Sequence, residues 1–388
     1  MIDPRPPRAP MPRVIDYEQR QVMSDPRVEQ LSPESQAALR QFSEDRLIGY
    51  GVERADAGEL RERVLRGVPW KEAATMIADR CRTLARPAET GGNRATRITY
   101  LRRASALVRA SQVMMLTDTP ERAAIYARAG DLYGLASHLA GDRRRVLVHN
   151  TTGELVGWHF RTRVPSQGAV LLIGGVEGYA MDFDSMGEAL AARGIETLAL
   201  DGPGQGESRF THEQYLSGEW RSAYIAALDY LSEVSPGRPI GIIGNSMGGS
   251  FAMAVAASDT RVRACVDNGG IPAPWLVTPS VGTFFTKMVS FCGTGDPEEA
   301  IAVWSSVVPL AEGANGDYSL LVLHGGADPL VTQAMAEGLW KGARTANREM
   351  VIFSDGDHCI YNHKTDRDIL VADWMFDRLS SAQEEPSS

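Results

Sequence analysis

The chain has 388 residues, of which 43% are hydrophobic and 23% charged, and its formal net charge is -9. This length allows one large core with an extension, and the composition is that of an ordinary globular protein. The acidic balance argues against a nucleic-acid partner.

The two chain ends differ in composition from the rest of the sequence. Residues 1–14 are rich in proline and arginine, and the final stretch SAQEEPSS, residues 381–388, is polar. We therefore expect a disordered segment over 1–14 and a flexible tail over 381–388. No signal-type apolar segment follows the N-terminal stretch, and no run of about 18 uncharged apolar residues occurs. This predicts a soluble, cytoplasmic protein with no membrane contact.

Apolar residues recur at helical spacing from about residue 16 to 141, as in Leu101, Ala104 and Val108. One helix start is explicit, because Thr119 precedes Pro120 and an acidic residue, which is the pattern of an N-cap followed by a first turn. That helix should run to Gly141. The pattern predicts an all-helical region with almost no strand over residues 15–142.

From residue 143 the pattern changes to short apolar runs separated by helical stretches. The predicted strands are RRVLVH, LVGWHF, AVLLIGG, ETLALDG, PIGIIGN, VRACVDNG, YSLLVLHGG and EMVIFSDGD. Gly153 should turn the first two into a hairpin. The later, almost wholly apolar strands indicate an α/β fold with a mostly parallel sheet over residues 143–380, interrupted by an insertion over 271–315.

The stretch GNSMG places Ser246 between Gly244 and Gly248, directly after a predicted strand and before a predicted helix. In a strand-turn-helix elbow the serine is strained, and glycines are needed where larger side chains would collide. The alternative is a merely compact turn. The context favours Ser246 as a nucleophile.

A serine hydroxyl needs a base and an acid that orients the base. His358 follows the last predicted strand and is the first candidate for the base, with His363 as its rival. Asp328, in HGGADPLV, follows the preceding strand and is the first candidate for the acid. Other candidates for the acid remain open: Asp267, Asp355 and Asp357.

The developing oxyanion needs two N–H donors. The residue after the nucleophile, Met247, supplies one, and the glycine-rich loop of LLIGGVEGY supplies the other, for which Val176 is the first candidate. Loop residues that should face the pocket are candidates for substrate contact: Glu177, Tyr179, Asp182 and Glu207.

Two further patterns have simpler readings. The stretch DGPGQGES, residues 201–208, lacks phosphate-loop spacing and indicates a structural turn beside the active site. Neither the cysteines nor the acidic residues beside His358 have a matched second cluster, so we expect no metal, no cofactor and no disulfide.

The order Ser, Asp, His at strand ends, with the DGPGQGES turn, resembles the α/β-hydrolase superfamily over residues 145–380. The motifs GGVEG, GNSMGG, HGGADPLV and DGDHCIYNH, with the helical N-terminal region, resemble the FrsA-like esterase group that includes 2,6-dihydropseudooxynicotine hydrolase. The resemblance implies a serine hydrolase, often a homodimer, whose N-terminal helices cap a site that cleaves an ester or a carbon-carbon bond beside a ketone.

One feature that the resemblance implies is missing from this chain. An extra glutamate is expected after the sixth strand, whereas residues 268–295 contain no acidic residue. We therefore expect a small-molecule acyl ketone, polyketide-like or aromatic, or an ester. Alternatives are a biosynthetic cyclase or lyase that uses His358 as a base without an acyl-enzyme, and a non-catalytic binding protein.

Overall fold

The computed structural model describes residues 11–19, 25–86, 91–277 and 279–384. Over this part of the chain nine strands form one sheet in the order β1-β9-β8-β7-β6-β4-β5-β3-β2. They are β1 Arg13–Ile15, β2 Arg143–Asn150, β3 Gly153–Phe160, β4 Gly168–Ile173, β5 Ile195–Asp201, β6 Ile240–Asn245, β7 Val262–Asn268, β8 Ser319–Gly325 and β9 Arg348–Phe353. The sheet is parallel except that β3 pairs antiparallel with β2 and with β5. The predicted α/β architecture, its eight strands and the hairpin at Gly153 are confirmed.

In the described part of the chain, six α-helices precede this α/β region. They are α1 Pro33–Gln41, α2 Glu44–Gly49, α3 Arg54–Leu65, α4 Trp70–Ala85, α5 Arg94–Ser111 and α6 Pro120–Ala140. The Thr119 side chain accepts the Arg122 N–H at 3.1 Å at the start of α6. Gly141 ends that helix in the left-handed conformation, with φ 70°, where glycine has no steric penalty. The predicted limits of this helix are confirmed.

Eight α-helices accompany the sheet over the residues that the structure describes. They are α7 Asp184–Ala192, α8 Gly206–His212, α9 Trp220–Val234, α10 Met247–Ser258, α11 Thr283–Phe291, α12 Pro297–Trp304, α13 Gln333–Gly342 and α14 Lys364–Glu384. Helices α11 and α12 belong to the predicted insertion, residues 271–315. Among the described residues, no helix combines the length and apolar character needed to cross a bilayer.

The sheet has a separate hydrophobic core on each face. In β4, Val170 and Leu172 join the core that also contains residues of α1–α6, whereas Leu171 and Ile173 join the core formed with α9, α10 and α13. All residues of β4 are buried because both faces are covered, which explains its continuous apolar sequence. The N-terminal helices thus pack directly on the α/β region.

Two expectations about the chain ends are corrected. Residues 13–15 form β1, which pairs parallel with β9, and the Ser354 N–H donates to the Ile15 carbonyl at 3.0 Å. A three-residue strand is too short to show a period in the sequence, but it satisfies the open edge of β9. At the other end α14 continues to Glu384, because Ala382 to Glu384 are good helix formers. Residues 1–10 and 385–388 lie outside the described residues.

Candidate active site

Ser246 lies in a tight turn between β6 and α10, with φ 54° and ψ -127°. This left-handed conformation is strained for a residue other than glycine. A Cβ at Gly244 would lie 2.0 Å from the Gly248 carbonyl oxygen, and one at Gly248 would lie 2.5 Å from the Gly174 carbonyl oxygen. Only glycine fits on either side of the serine, so the GNSMG pattern is a steric requirement of this elbow.

Ser246, His358 and Asp328 form one hydrogen-bonded chain. The distance from Ser246 Oγ to His358 Nε2 is 2.8 Å, and the distance from His358 Nδ1 to Asp328 Oδ2 is also 2.8 Å. The other carboxylate oxygen of Asp328 accepts the N–H groups of Leu330 and Val331 at 2.8 and 3.0 Å. With Asp328 ionised, Nδ1 donates to it and Nε2 is free to accept the serine proton.

The environment moves the pKa values of the two charged partners apart. Burial raises the pKa of Asp328, but its hydrogen bond to His358 and the two backbone donors lower it below its usual range. Burial lowers the pKa of His358, but Cys359 and the bonded Asp328 outweigh this and raise that pKa above its ordinary value. The pair therefore favours an imidazolium, the form that His358 takes after accepting a proton.

The rival residues have structural partners instead. His363 Nε2 lies 2.5 Å from Asp355 Oδ1, and its ring stacks on Tyr17 at 3.7 Å between centroids. Asp267 accepts the Gly270 N–H, and burial raises its pKa to about 7. Asp357 caps the 3₁₀ turn His358–His363 through backbone N–H groups. Among these candidates, Asp328 is the carboxylate that bonds to His358.

A cavity of about 500 Å³ opens over Ser246 and His358. Its lining comes from α1 and α2, the 175–178 loop, the insertion, the residues after Asp328 and the histidine turn: Ala37, Arg40, Gln41, Arg46, Tyr50, Gly175, Val176, Glu177, Gly178, Ser280, Val281, Gly282, Thr283, Phe284, Pro329, Leu330 and Tyr361. The N-terminal helices therefore supply one wall, opposite the catalytic groups. A cavity of this size suits a small organic molecule.

Glu177 joins three segments of the chain in the cavity wall. Arg46 Nη2 donates to it at 2.7 Å, and Gln41 Nε2 lies 2.8 and 2.9 Å from its two oxygens. Lys287 of α11 also pairs with this carboxylate. The Glu177 and Lys287 side chains are only 8% and 5% exposed, so two cations share one buried carboxylate.

Comparisons with known proteins agree with this fold. The family described as serine aminopeptidase S33 matches residues 164–289. The solved structure of 2,6-dihydroxy-pseudo-oxynicotine hydrolase has a TM-score of 0.75 and 24% identity, over 89% of this chain and 98% of that one. The chain therefore has the α/β-hydrolase fold. A second structure, AbyA5, has a TM-score of 0.63 and 15% identity, over 81% of this chain and 92% of that one.

Curated relatives match this chain over part of their length. The 2,6-dihydropseudooxynicotine hydrolase of Paenarthrobacter nicotinovorans is 29% identical over 218 residues, which are 54% of this chain and 58% of the relative. Hydrolase ORFZ of Pyricularia oryzae is 30% identical over 234 residues, 54% of each chain. The chain thus spans a little over half the length of these relatives.

Three of the four loop residues expected to contact substrate have other partners. The Tyr179 hydroxyl donates to the Val176 carbonyl at 3.3 Å, Asp182 pairs with Arg109 at 2.8 Å, and Glu207 pairs with a surface arginine. Among the described residues, the cavity lining includes Glu177 and none of these three. The expectation is corrected because all three side chains are buried away from the cavity, the two acids in ion pairs with arginines of α5 and β2.

Sequence reasoning missed the residues that the N-terminal region and the insertion bring to this site. Arg46 of α2 and Tyr50, directly after α2, line the cavity, and Lys287 of the insertion pairs with Glu177 in its wall. Lys287 is the one basic residue within 268–295, a largely apolar segment, and that isolation was the available signal. Among the described residues, no group of three His, Cys, Asp or Glu side chains could hold a metal ion.

Proposed function

We propose that this protein is a serine hydrolase that forms an acyl-enzyme on Ser246. The observation that carries the proposal is the chain of two 2.8 Å contacts from Ser246 through His358 to Asp328. It lies at the floor of a cavity, on a strained elbow. The curated relatives are named hydrolases, which supports the same reaction class.

The reaction proceeds in two steps. His358 Nε2 takes the Ser246 proton while Oγ attacks the substrate carbonyl, and the N–H groups of Met247 and Val176 stabilise the oxyanion. The imidazolium, oriented by Asp328, then protonates the leaving group. Water repeats the sequence on the acyl-enzyme and releases the acid.

The substrate we propose is a small acyl ketone, polyketide-like or aromatic, or an ester. Tyr50, Phe284 and Tyr361 give the cavity aromatic walls. The relative from Paenarthrobacter is named for a pseudooxynicotine, but the absence of an acidic residue from 268–295 argues against that substrate here. If a carbon-carbon bond breaks, the leaving carbon departs as an enolate, which requires a β-dicarbonyl or an aryl ketone.

The assembly and location are further proposals. We propose a homodimer on the resemblance to the FrsA-like group, and sedimentation velocity at micromolar concentration tests it. A cytoplasmic location is supported by the four free cysteines, which suit a reducing compartment.

The test is a stopped assay with aryl esters and β-diketones on the wild type and Ser246→Ala. Loss of the nucleophile should lower kcat by about 10⁴-fold or more. Ser258→Ala, at the C-terminal end of α10, the helix that follows Ser246, should retain wild-type turnover. Full turnover by Ser246→Ala would contradict the covalent mechanism. If Ser246→Ala kept full turnover and His358→Gln abolished turnover, His358 would act as a base without an acyl-enzyme.

A further inference from the structure

The loop over Ser246 is held from behind by Gln205. Its Nε2 donates to the Gly174 carbonyl at 2.6 Å and to the Gly175 carbonyl at 2.9 Å. Gln205 is fully buried. A Cβ at Gly175 would lie 2.9 Å from the Ser246 Cβ, so the held segment is in van der Waals range of the nucleophile.

One of these bonds controls the direction of a specific N–H group. The Gly175 carbonyl and the Val176 N–H belong to one planar peptide unit, and in a trans peptide they point in opposite directions. Gly175, Val176 and Ser246 line the cavity, whereas Gln205 is not among its described lining residues. With the carbonyl fixed toward Gln205, the Val176 N–H is turned toward the cavity. A hydrogen bond to the carbonyl also polarises the peptide and strengthens its N–H as a donor.

The Gln205 amide is itself fixed. Its Oε1 accepts the Gly202 N–H at 2.8 Å, which assigns the oxygen and leaves Nε2 for the two carbonyls. Its backbone N–H donates to the Gly202 carbonyl at 2.9 Å, and α8 begins at the next residue. The DGPGQGES turn is therefore a rigid support for the loop, and both amide protons are used.

We propose that Gln205 is a positioning residue for the oxyanion hole, which holds the Gly175–Val176 peptide so that its N–H faces the substrate carbonyl. The inference rests on the proposed serine hydrolase function. Gln205 acts through Val176 and does not touch the substrate.

The alternative is that Gln205 only anchors its own turn, and Ser208 provides the matched control. The Ser208 hydroxyl donates to the Asp201 carbonyl and accepts the Val156 N–H at 2.7 Å, so it anchors the same turn to β3 and β5. Asp201 and Val156, which Ser208 contacts, lie outside the 174–176 loop. A loss of turn anchoring should affect Ser208→Ala as well, whereas a loss of the oxyanion donor should not.

The experiment measures the second-order rate of labelling by an alkyl fluorophosphonate. In this reaction Ser246 Oγ bonds to phosphorus, fluoride leaves, and His358 takes the serine proton, so no substrate identity is needed. Gln205→Met removes both the donors and the acceptor, and Gln205→Glu retains an acceptor for Gly202. Removing an oxyanion donor costs about 10²- to 10³-fold in rate, so a misdirected donor should slow labelling by about 10- to 100-fold. Ser208→Ala should stay within about threefold of the wild type on the same scale.

The outcomes separate the two proposals. Labelling of both Gln205 variants at the wild-type rate overturns the positioning role and leaves the hydrolase proposal intact. Equal slowing in Ser208→Ala also overturns it, in favour of turn anchoring. Failure of the wild type to label at Ser246 overturns the hydrolase proposal and the inference with it.

A crystal structure of the phosphonylated wild type decides the question even if the variants do not fold. The inference requires the phosphonyl oxygen within hydrogen-bonding distance of the Val176 nitrogen, with Gln205 Nε2 still on the Gly175 carbonyl. An oxygen bonded elsewhere, or a Gly175 carbonyl released from Gln205, overturns it.

Discussion

Different interactions hold the two walls of the cavity in place. On the sheet side, Ser246 is fixed by local backbone geometry, because Gly244 and Gly248 fit where a Cβ would clash. On the helical side, Arg46 and Lys287 approach from segments far apart in the chain and meet on Glu177. The turn at Ser246 is specified largely by residues within a few positions of the serine. The wall on the helical side exists only when distant segments pack.

This difference indicates that the two sides of the cavity have different roles. Under the proposed function, the sheet side carries the groups whose positions must not vary with substrate, namely the nucleophile, the base and the acid. The helical side places aromatic and charged residues on the cavity wall, where the proposed substrate would lie. We therefore expect changes on the sheet side to alter kcat, and changes on the helical side to alter stability and KM.

The largest effect on the sheet side after Ser246 should come from Asp328→Asn. The neutral amide no longer favours the imidazolium or the productive tautomer, so kcat should fall by about 10³- to 10⁴-fold. Because Asp328 helps raise the His358 pKa, its loss should lower that pKa. His358 must be neutral to act as a base, so activity rises with pH through this pKa, and the rising limb should move to lower pH.

Asp355→Asn is the control for that pH profile. Asp355 pairs with His363 on the same turn but does not bond to His358. The variant should keep the wild-type rising limb, which should lie above the ordinary histidine pKa of about 6.5. If the rising limb moved as far in Asp355→Asn as in Asp328→Asn, Asp328 would not be the residue that orients His358.

A smaller effect on turnover, but a large one on stability, is expected from Glu177→Gln on the helical side. Removing the shared carboxylate leaves two buried cations without a counter-charge, and breaking such a pair costs about 3 to 5 kcal/mol in the free energy of unfolding. Urea unfolding should show this loss. Adding Lys287→Met should restore much of it, because only one cation then remains.

The matched control for Glu177→Gln is Glu337→Gln, which breaks the exposed pair with Lys341. Its unfolding free energy should be nearly unchanged, since solvent screens such pairs. Equal stability of Glu177→Gln and Glu337→Gln would show that the buried cluster does not hold the helical wall.

The smallest effect should come from Thr119→Ala at the start of α6. Loss of the cap to the Arg122 N–H should cost about 1 kcal/mol in unfolding free energy and leave kcat unchanged. Thr99→Ala, in the middle of α5, removes no cap and should not destabilise the protein. A lowered kcat in Thr119→Ala would mean that α6 influences the catalytic side.

The same division explains what the sequence could predict. The elbow at Ser246 has a local steric signature, and the parallel strands have continuous apolar runs because both sheet faces are covered. His358 and Asp328 followed from their places after strand ends. The fold and the candidate triad residues were therefore accessible from short stretches of sequence.

The remaining features depend on partners far away in the chain. Residues 13–15 form a strand only because β9 offers an open edge, and nothing within that Pro-rich stretch shows it. The sequence predicts Asp182 and Glu207 as pocket residues. They pair instead with Arg109 and Arg145, which lie far from them in the chain. Gln205 had no signal as a functional residue, because its role depends on carbonyl groups thirty positions earlier.

The most direct test of the central proposal is to trap the acyl-enzyme. Wild-type protein turning over 4-nitrophenyl acetate is quenched in acid, digested and analysed by mass spectrometry. The account predicts an acetyl group on Ser246 of the wild type and none on that peptide in Ser246→Ala. Steady release of 4-nitrophenolate with the acetyl group on another residue would contradict it.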